Sequence, residues 1–295
     1  MTDTTSIKTH AVSAIVENGY GGRSTMIARR GEVGLHYEST GNGPPVLLVM
    51  GLGMNATGWW RTVPVLAGAG LRVLAFDNRG GGRSDRPPGP YTVAGMADDC
   101  AAVLDATGEA SAHVYGISLG GMIAQELALR HPARVRSLVL GATTPGGDRA
   151  VGADPEVLAF FLRRAEMPAE EAVWASVPYN YGPATRVEQP ARIGEDIVQR
   201  LRFPIEPEPY VAQLQAALGH DAHQRLGAIS APTLVVHGEA DVMVPPGNAR
   251  LLAEAIPGAE LSLWPGAGHL YPTDEPRADA AVAEFLLSAP STPGP

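Results

Sequence analysis

Three residues of this chain have the types and the order that activated-serine chemistry needs: Ser118, Asp241 and His269. A serine hydroxyl is a weak nucleophile until a base takes its proton, and the base works only when an acid fixes its tautomer and orientation. Ser118 sits in His113-Val-Tyr-Gly-Ile-Ser-Leu-Gly-Gly-Met122, at the centre of Gly116-x-Ser118-x-Gly120. A nucleophile of this kind stands on a sharp strand-to-helix turn, and the flanking glycines remove the Cβ atoms that would clash there. The following helix directs its N-terminus at the site, which makes the Leu119 amide a candidate oxyanion donor. The pentapeptide alone has little specificity in a chain with 35 glycines. Its context raises it, because an apolar strand precedes it and a helix carrying the small residues Gly121, Ala124 and Ala128 follows.

The base and acid follow in the order serine, acid, histidine. Gly238-Glu-Ala-Asp241 comes after the apolar run 233–237, and Pro265-Gly-Ala-Gly-His269 after the run 260–264. Both residues therefore fall in short loops beyond the carboxyl ends of strands, where α/β sheets place their sites. Asp148, after the run 135–140, is the main rival acid, and Glu239 a lesser one. The remaining histidines have plainer readings. His131 ends a helix before Pro132, and His237 ends a strand. His220 and His223 have an i, i+3 spacing, but no cysteine or further histidine completes a metal set, so no metal is expected.

A second oxyanion donor should come from Met50-Gly51-Leu52-Gly53, after the apolar run 45–50, and the Leu52 amide is the candidate. The same stretch competes as a dinucleotide fingerprint, Gly51-x-Gly53-x-x-Ala56, with Asp77 about 20 residues on. Against that, the next helix begins near Trp59, too late for its N-terminus to hold a pyrophosphate. A cofactor reading also leaves Ser118, Asp241 and His269 without a role, so none is expected. The loop Asp77-Asn-Arg-Gly-Gly-Gly-Arg-Ser84 lacks the Gly-Lys-[Ser/Thr] of a phosphate loop, and Asp77 and Arg79 are expected to tie loops around the site.

The elements that must position these residues alternate. Strands are predicted over 25–28, 34–37, 45–50, 72–76, 113–115, 135–140, 233–237 and 260–264, and helices over 59–67, 93–106, 119–131, 247–255 and 276–287. From residue 45 onward the strand runs are almost continuously apolar, as strands buried on both faces are. The fold class is α/β, a mostly parallel eight-stranded sheet flanked by helices, with an inserted helical lid. The alternation breaks over 148–222, which is rich in proline and short helical patterns. The expected organisation is a flexible tail over 1–24, an α/β core over 25–147 and 223–289, a helical cap over 148–222, and a C-terminal tail over 290–295.

The net charge of −9, from 31 acidic and 22 Lys plus Arg residues, argues against nucleic acid or an anionic membrane as partner. A small-molecule substrate is the expected partner, and a homo-oligomer is compatible with the sequence. Cys100 is the one cysteine, so an intrachain disulfide is impossible and a reducing compartment fits. Residues 1–20 lack a continuous apolar segment and no run approaches the roughly 20 residues needed to span a bilayer. The expectation is no signal peptide and a cytoplasmic location.

Taken together, Gly51-Leu-Gly-Met…Trp59-Trp60, Asp77-x-Arg-Gly-x-Gly-x-Ser84, Gly116-Ile-Ser-Leu-Gly-Gly121, Gly238-x-x-Asp241 and Gly266-x-Gly-His269 resemble the α/β-hydrolase superfamily over about residues 25–289. The branch most resembled is that of 3-oxoadipate enol-lactonases, esterases and cofactor-free perhydrolases, with polyketide methyl esterases similar too. The resemblance implies hydrolysis of an ester or lactone through an acyl-enzyme, with the lid after the sixth core strand. Ser118 stands where dehalogenases and epoxide hydrolases of the superfamily carry aspartate, which argues against those chemistries. Met50 stands where many relatives have histidine. Carbon–carbon bond hydrolysis, perhydrolysis or a biosynthetic cyclisation would use the same residues, and a non-catalytic small-ligand-binding protein on this fold is the alternative of a different class. The cap contains Phe160, Phe161, Trp174, Tyr179, Tyr181, Phe203 and Tyr210, which suggests a largely apolar substrate.

Overall fold

The computed structural model describes residues 15–18 and 24–289. Among them, nine strands form one sheet: β1 (Ile15–Asn18), β2 (Ser24–Arg30), β3 (Val33–Thr40), β4 (Pro45–Val49), β5 (Arg72–Phe76), β6 (Ala112–Ile117), β7 (Val135–Gly141), β8 (Thr233–Gly238) and β9 (Glu260–Trp264). Their spatial order is β1-β2-β3-β5-β4-β6-β7-β8-β9. The six strands from β5 to β9 in that order are parallel, and β1, β2 and β3 are antiparallel. All eight expected strands are present.

The ninth strand corrects the sequence reading. Ile15–Asn18 and Ser24 were expected in a loose tail, but the first forms β1 and the second opens β2, with Ile15 opposite Ile27. The physical reason is that β2 would otherwise present an unpaired row of backbone donors and acceptors, and a short β-prone segment satisfies it. The rest of the expected N-terminal tail, 1–14 and 19–23, and the expected tail 290–295 lie outside the described residues.

Alternation along the central strands explains why both faces must be covered. In β4, Leu47 and Val49 enter the core on one face, and Val46 and Leu48 enter the core on the other. The first core is closed by Met96, Cys100 and Val103 of α2 (Val93–Ala106) and Ile123 and Leu127 of α3 (Leu119–Arg130). The second is closed by Leu66, whose helix α1 (Thr62–Gly68) follows a 3₁₀ turn at Ala56–Trp59, and by Val282 and Leu286 near the C-terminal end. Each such fully buried aliphatic side chain contributes about 1.5–3 kcal/mol of transfer free energy. Cys100 lies in the first core, where burial pushes its thiol pKa well up.

Between β7 and β8 the chain forms six α-helices and no strand: α4 (Pro155–Arg164), α5 (Ala169–Ala175), α6 (Val177–Asn180), α7 (Pro183–Glu188), α8 (Pro190–Arg200) and α9 (Pro207–Leu218). Five of them carry proline at the first or second helical position, where its missing N–H costs nothing. Their own small core is Val173, Tyr181, Ile193 and Ile197, closed by Leu270 from the loop after β9. The core then resumes with α10 (Gly247–Ala255), α11 (Tyr271–Asp274) and α12 (Arg277–Ser288). No helix among the described residues is long and apolar enough to cross a membrane.

Candidate active site

Ser118 occupies the turn between β6 and α3 with φ 58° and ψ −123°, in a region that non-glycine residues rarely adopt. Such a conformation costs about 1–3 kcal/mol and persists only when its surroundings enforce it. They do so here through backbone. The Ser118 N–H donates to the Gly141 carbonyl at 2.9 Å, and the Ser118 carbonyl accepts from Thr143 Oγ1 at 2.7 Å and from the Gly121 N–H at 2.9 Å. The motif glycines are required sterically. A Cβ on Gly116 would lie 2.1 Å from the Gly120 carbonyl oxygen, and one on Gly120 would lie 2.0 Å from that of Val49 in β4.

Asp241 and His269 are brought together by the pairing of β8 and β9, in which Gly238 lies opposite Trp264. The loop after β9 then folds onto Gly238, where a Cβ would meet the Ala267 carbonyl oxygen at 2.2 Å. The Ala240 N–H donates to that same carbonyl at 2.8 Å. The result is a 2.8 Å hydrogen bond between His269 Nδ1 and Asp241 Oδ2, both side chains buried. Asp241 Oδ1 accepts from the Met243 and Val244 amides at 2.8 and 2.9 Å, and His237 Nε2 lies 3.2 Å from Oδ2 while bonding the Val244 carbonyl. Burial pushes the Asp241 pKa up, but His269 and His237 outweigh it and bring it down to about 2, so the carboxylate stays ionised.

The loop after β4 lies beside Ser118, since a Cβ on Gly51 would sit 3.0 Å from Ser118 Cβ. Leu52 and Ser118 line the same cavity. The Leu119 amide is the first of α3, and the opening amides of a helix have no partner within it. The loop is held from three sides. Asn78 Nδ2 donates to the Met50 carbonyl at 2.8 Å, and Asp77 accepts from the Ala56 and Arg83 amides at 2.7 and 2.9 Å. The third support comes from α9: Gln213 accepts from the Gly53 N–H at 3.0 Å and donates to the Arg79 carbonyl at 2.9 Å. Asp77 thus ties loops as expected, while the Arg79 guanidinium pairs with Asp99 of α2 at 2.6 Å. Asp77, the residue a dinucleotide fingerprint would need for a ribose, is bound instead to the Ala56 and Arg83 amides.

Comparison with known proteins fits this geometry. Residues 44–173 match the family described as alpha/beta hydrolase fold, and residues 212–294 one described as TAP-like protein. A protein of Azorhizobium caulinodans named for a carbamate hydrolase, RutD, is 35% identical over 253 residues, covering 83% of this chain and 91% of its own. The chain belongs to the alpha/beta hydrolase family. Among solved structures, an esterase from Thermogutta terrifontis superposes with a TM-score of 0.77 at 30% identity, covering 91% of this chain and 99% of its own. The enol-lactonase from Burkholderia xenovorans LB400 does so with 0.78 at 27%, covering 89% and 100%. The protein is accordingly an enzyme of the hydrolase class.

In this hydrolase the other candidate residues fall away from the serine. Asp148 and Glu239 are exposed. His131 Nε2 meets Asp98 at 2.8 Å on the surface. His220 Nε2 lies 3.2 Å from Gln125 Oε1, and burial lowers its pKa to about 4. No group of three or more His, Cys, Asp or Glu side chains converges on a metal-sized site among the described residues.

The cavity that contains Ser118 and His269 is lined as well by Gly51, Leu52, Met54, Ile117, Met243 and Leu270, and from the lid by Phe161, Arg164, Ser176, Asn180 and Arg200. Of the seven lid aromatics, Phe161 alone lines it. Phe160 stacks on Tyr179 at 4.5 Å, Tyr181 bonds Asp196, and Trp174 is 53% exposed. The lid also fixes the histidine loop. The Leu270 N–H donates to the Asn180 carbonyl at 2.8 Å, and Asp274 Oδ2 accepts from Gly268 and Gly182 at 2.6 and 2.9 Å. Sequence reasoning missed Gln213, Asn180, Asp274, Arg164 and Arg200. None lies in a motif, and the only available signal was a polar residue on an otherwise apolar helical face, as for Gln213 in α9.

Proposed function

We propose that this hydrolase cleaves a carboxylic ester or lactone of a small molecule through an acyl-enzyme on Ser118. Ser118 Oγ forms a bond to the carbonyl carbon while His269 Nε2 takes its proton, and the Leu52 and Leu119 amides hold the oxyanion. The carbon–oxygen bond to the leaving group then breaks, with His269 returning the proton to the departing alcohol. Water, deprotonated by His269, attacks the acyl carbon and releases the acid and free Ser118. Asp241 keeps the Nδ1–H tautomer, leaving Nε2 free to accept.

The observation that carries this reading is the 2.8 Å bond between His269 and Asp241, with His269 in the same cavity as the strained Ser118. Cleavage of a carbamate, the reaction in the name of the Azorhizobium relative, would use the same acyl transfer and belongs in the substrate panel. The test is labelling of the purified enzyme by a fluorophosphonate, with turnover of a panel of esters, lactones and carbamates. Ser118→Ala is expected to abolish labelling and to lower turnover at least about 10³-fold. A folded Ser118→Ala enzyme with near wild-type turnover refutes the reading.

A further inference from the structure

Arg164 and Arg200 enter the Ser118 cavity from the ends of two different lid helices, α4 and α8. Among the described residues no carboxylate lines that cavity, although the whole chain has 31 acidic residues against 22 Lys plus Arg. Arg200 is 7% exposed, its Nη2 donates to the Ser176 hydroxyl at 3.0 Å, and its Nη1 is buried without a partner. The nearby Asp196 is taken up by Trp60, Arg61, Tyr181 and Thr273. Arg164 lies with its guanidinium 4.9 Å from the Tyr210 ring centroid. It is pressed against the oxyanion loop, since a Cβ on Gly53 would come 3.1 Å from its Nη2. Burial lowers the Arg164 pKa to about 10, against a smaller opposite pull from Tyr210, and the adjacent charge of Arg200 adds to the drop. The Arg164 guanidinium therefore remains cationic at neutral pH. Both arginines also line a neighbouring pocket between the lid and the loop after β4, where the one carboxylate is the exposed Glu206.

A buried guanidinium without a counter-ion, with a second half-buried one on the same cavity, is costly. Guanidinium groups are also the side chains suited to gripping a carboxylate through paired hydrogen bonds. We propose that the natural substrate is an ester or lactone that carries a free carboxylate, and that Arg164 and Arg200 bind that carboxylate while the apolar wall of Leu52, Phe161, Met243 and Leu270 holds its carbon chain. The proposal rests on the reading of Ser118 as nucleophile. It refines the apolar-substrate expectation to an apolar chain with an anionic end.

The test compares 4-nitrophenyl hemiadipate with 4-nitrophenyl hexanoate at pH 8, after subtraction of the uncatalysed rates. The wild-type enzyme is expected to prefer the anionic ester in kcat/KM by about tenfold or more, chiefly through KM, as expected for one charged hydrogen-bonding partner. Arg200→Gln and Arg164→Gln should each lower that ratio about tenfold, and Arg200→Lys should restore part of it. Arg164 is half-buried, so its variant carries the test if Arg200→Gln does not fold. Equal or lower kcat/KM for the anionic ester in the wild type, or a ratio unmoved in a folded arginine variant, overturns the proposal while leaving the esterase reading in place. Calorimetric titration of Ser118→Ala with adipate separates the two in the other direction. Arginine-dependent adipate binding, together with no ester cleavage and no labelling of Ser118, upholds the anion site and removes the nucleophile reading.

Discussion

Replacing Asp241 by asparagine keeps the shape of the side chain and changes only which atoms donate. Two orientations are available. If the new amide nitrogen faces Met243 and Val244, it meets two backbone donors now 2.8 and 2.9 Å from Oδ1. Each lost and opposed hydrogen bond costs about 1–3 kcal/mol, so this orientation is disfavoured by several kcal/mol. The other orientation keeps the carbonyl oxygen on those amides and turns the NH₂ toward His269 Nδ1, which now lies 2.8 Å from Oδ2. Nδ1 must then accept, the proton moves to Nε2, and the ring can no longer take a proton from Ser118. The imidazolium of the transition state also loses its buried carboxylate. The expected cost is on the order of 10⁴ in kcat, or about 5.5 kcal/mol, the scale met when a triad acid of a serine protease becomes an amide. The assay is turnover of one 4-nitrophenyl ester by Asp241→Asn, Asp148→Asn and wild type at one pH, with folding checked by circular dichroism. Exposed Asp148 should cost less than about tenfold. An Asp241→Asn enzyme within tenfold of wild type, or a larger loss at Asp148, would refute the assignment of the acid.

Asp279 of α12 is buried with Thr62 Oγ1 at 2.7 Å, and burial raises its pKa to about 6. Its folded pKa lies above the unfolded value, so its contribution to stability is full below about pH 4 and is lost as the pH rises through 6, a swing of about 3 kcal/mol. Asp279→Asn should therefore gain stability relative to wild type at pH 8 but not at pH 4, and urea unfolding at both pH values that shows no such crossover contradicts the burial argument. Gly120→Ala puts a Cβ 2.0 Å from the Val49 carbonyl oxygen and should cost more than about 2 kcal/mol or prevent folding, so an unchanged melting temperature would rule out the close approach of elbow and β4. Gln213→Leu removes the acceptor of the Gly53 N–H and the donor to Arg79, and should lower kcat about tenfold by loosening the Leu52 loop; a kcat within twofold of wild type would mean that the loop holds itself.

Most of the core was readable because its signals are local. Apolar runs bounded by glycine and proline mark strands buried on both faces, and the expected bounds of β5, α2, α10 and β9 coincide with those observed. The strained turn at Ser118 was legible for the same reason, since Gly116 and Gly120 are demanded by atoms within a few residues or on the neighbouring strand. β1 was not legible, because a four-residue strand exists only through the unpaired edge of β2 that it covers. The short lid helices were visible as a break in alternation, but not their bounds. Proline and a few apolar residues start and stop them, and contacts with the core decide the rest.

The sequence by itself determined the α/β class, the placement of Ser118, Asp241 and His269 in loops after strands, and the glycines that allow a strained Ser118, because each depends on near neighbours and on periodicity. Only the tertiary structure decided which acid faces His269, since Asp241 and Asp148 both follow strands and differ only in where β8 and β9 carry them. It alone showed that Gln213 and Asn180 reach across from the lid to hold the loops after β4 and β9. It alone left Arg164 and Arg200 without carboxylates in the cavity of the serine. The physical reason is the same throughout: pairing of charges and polar groups between residues 28 to 160 positions apart is set by the packing of elements, and no short window of the chain contains it.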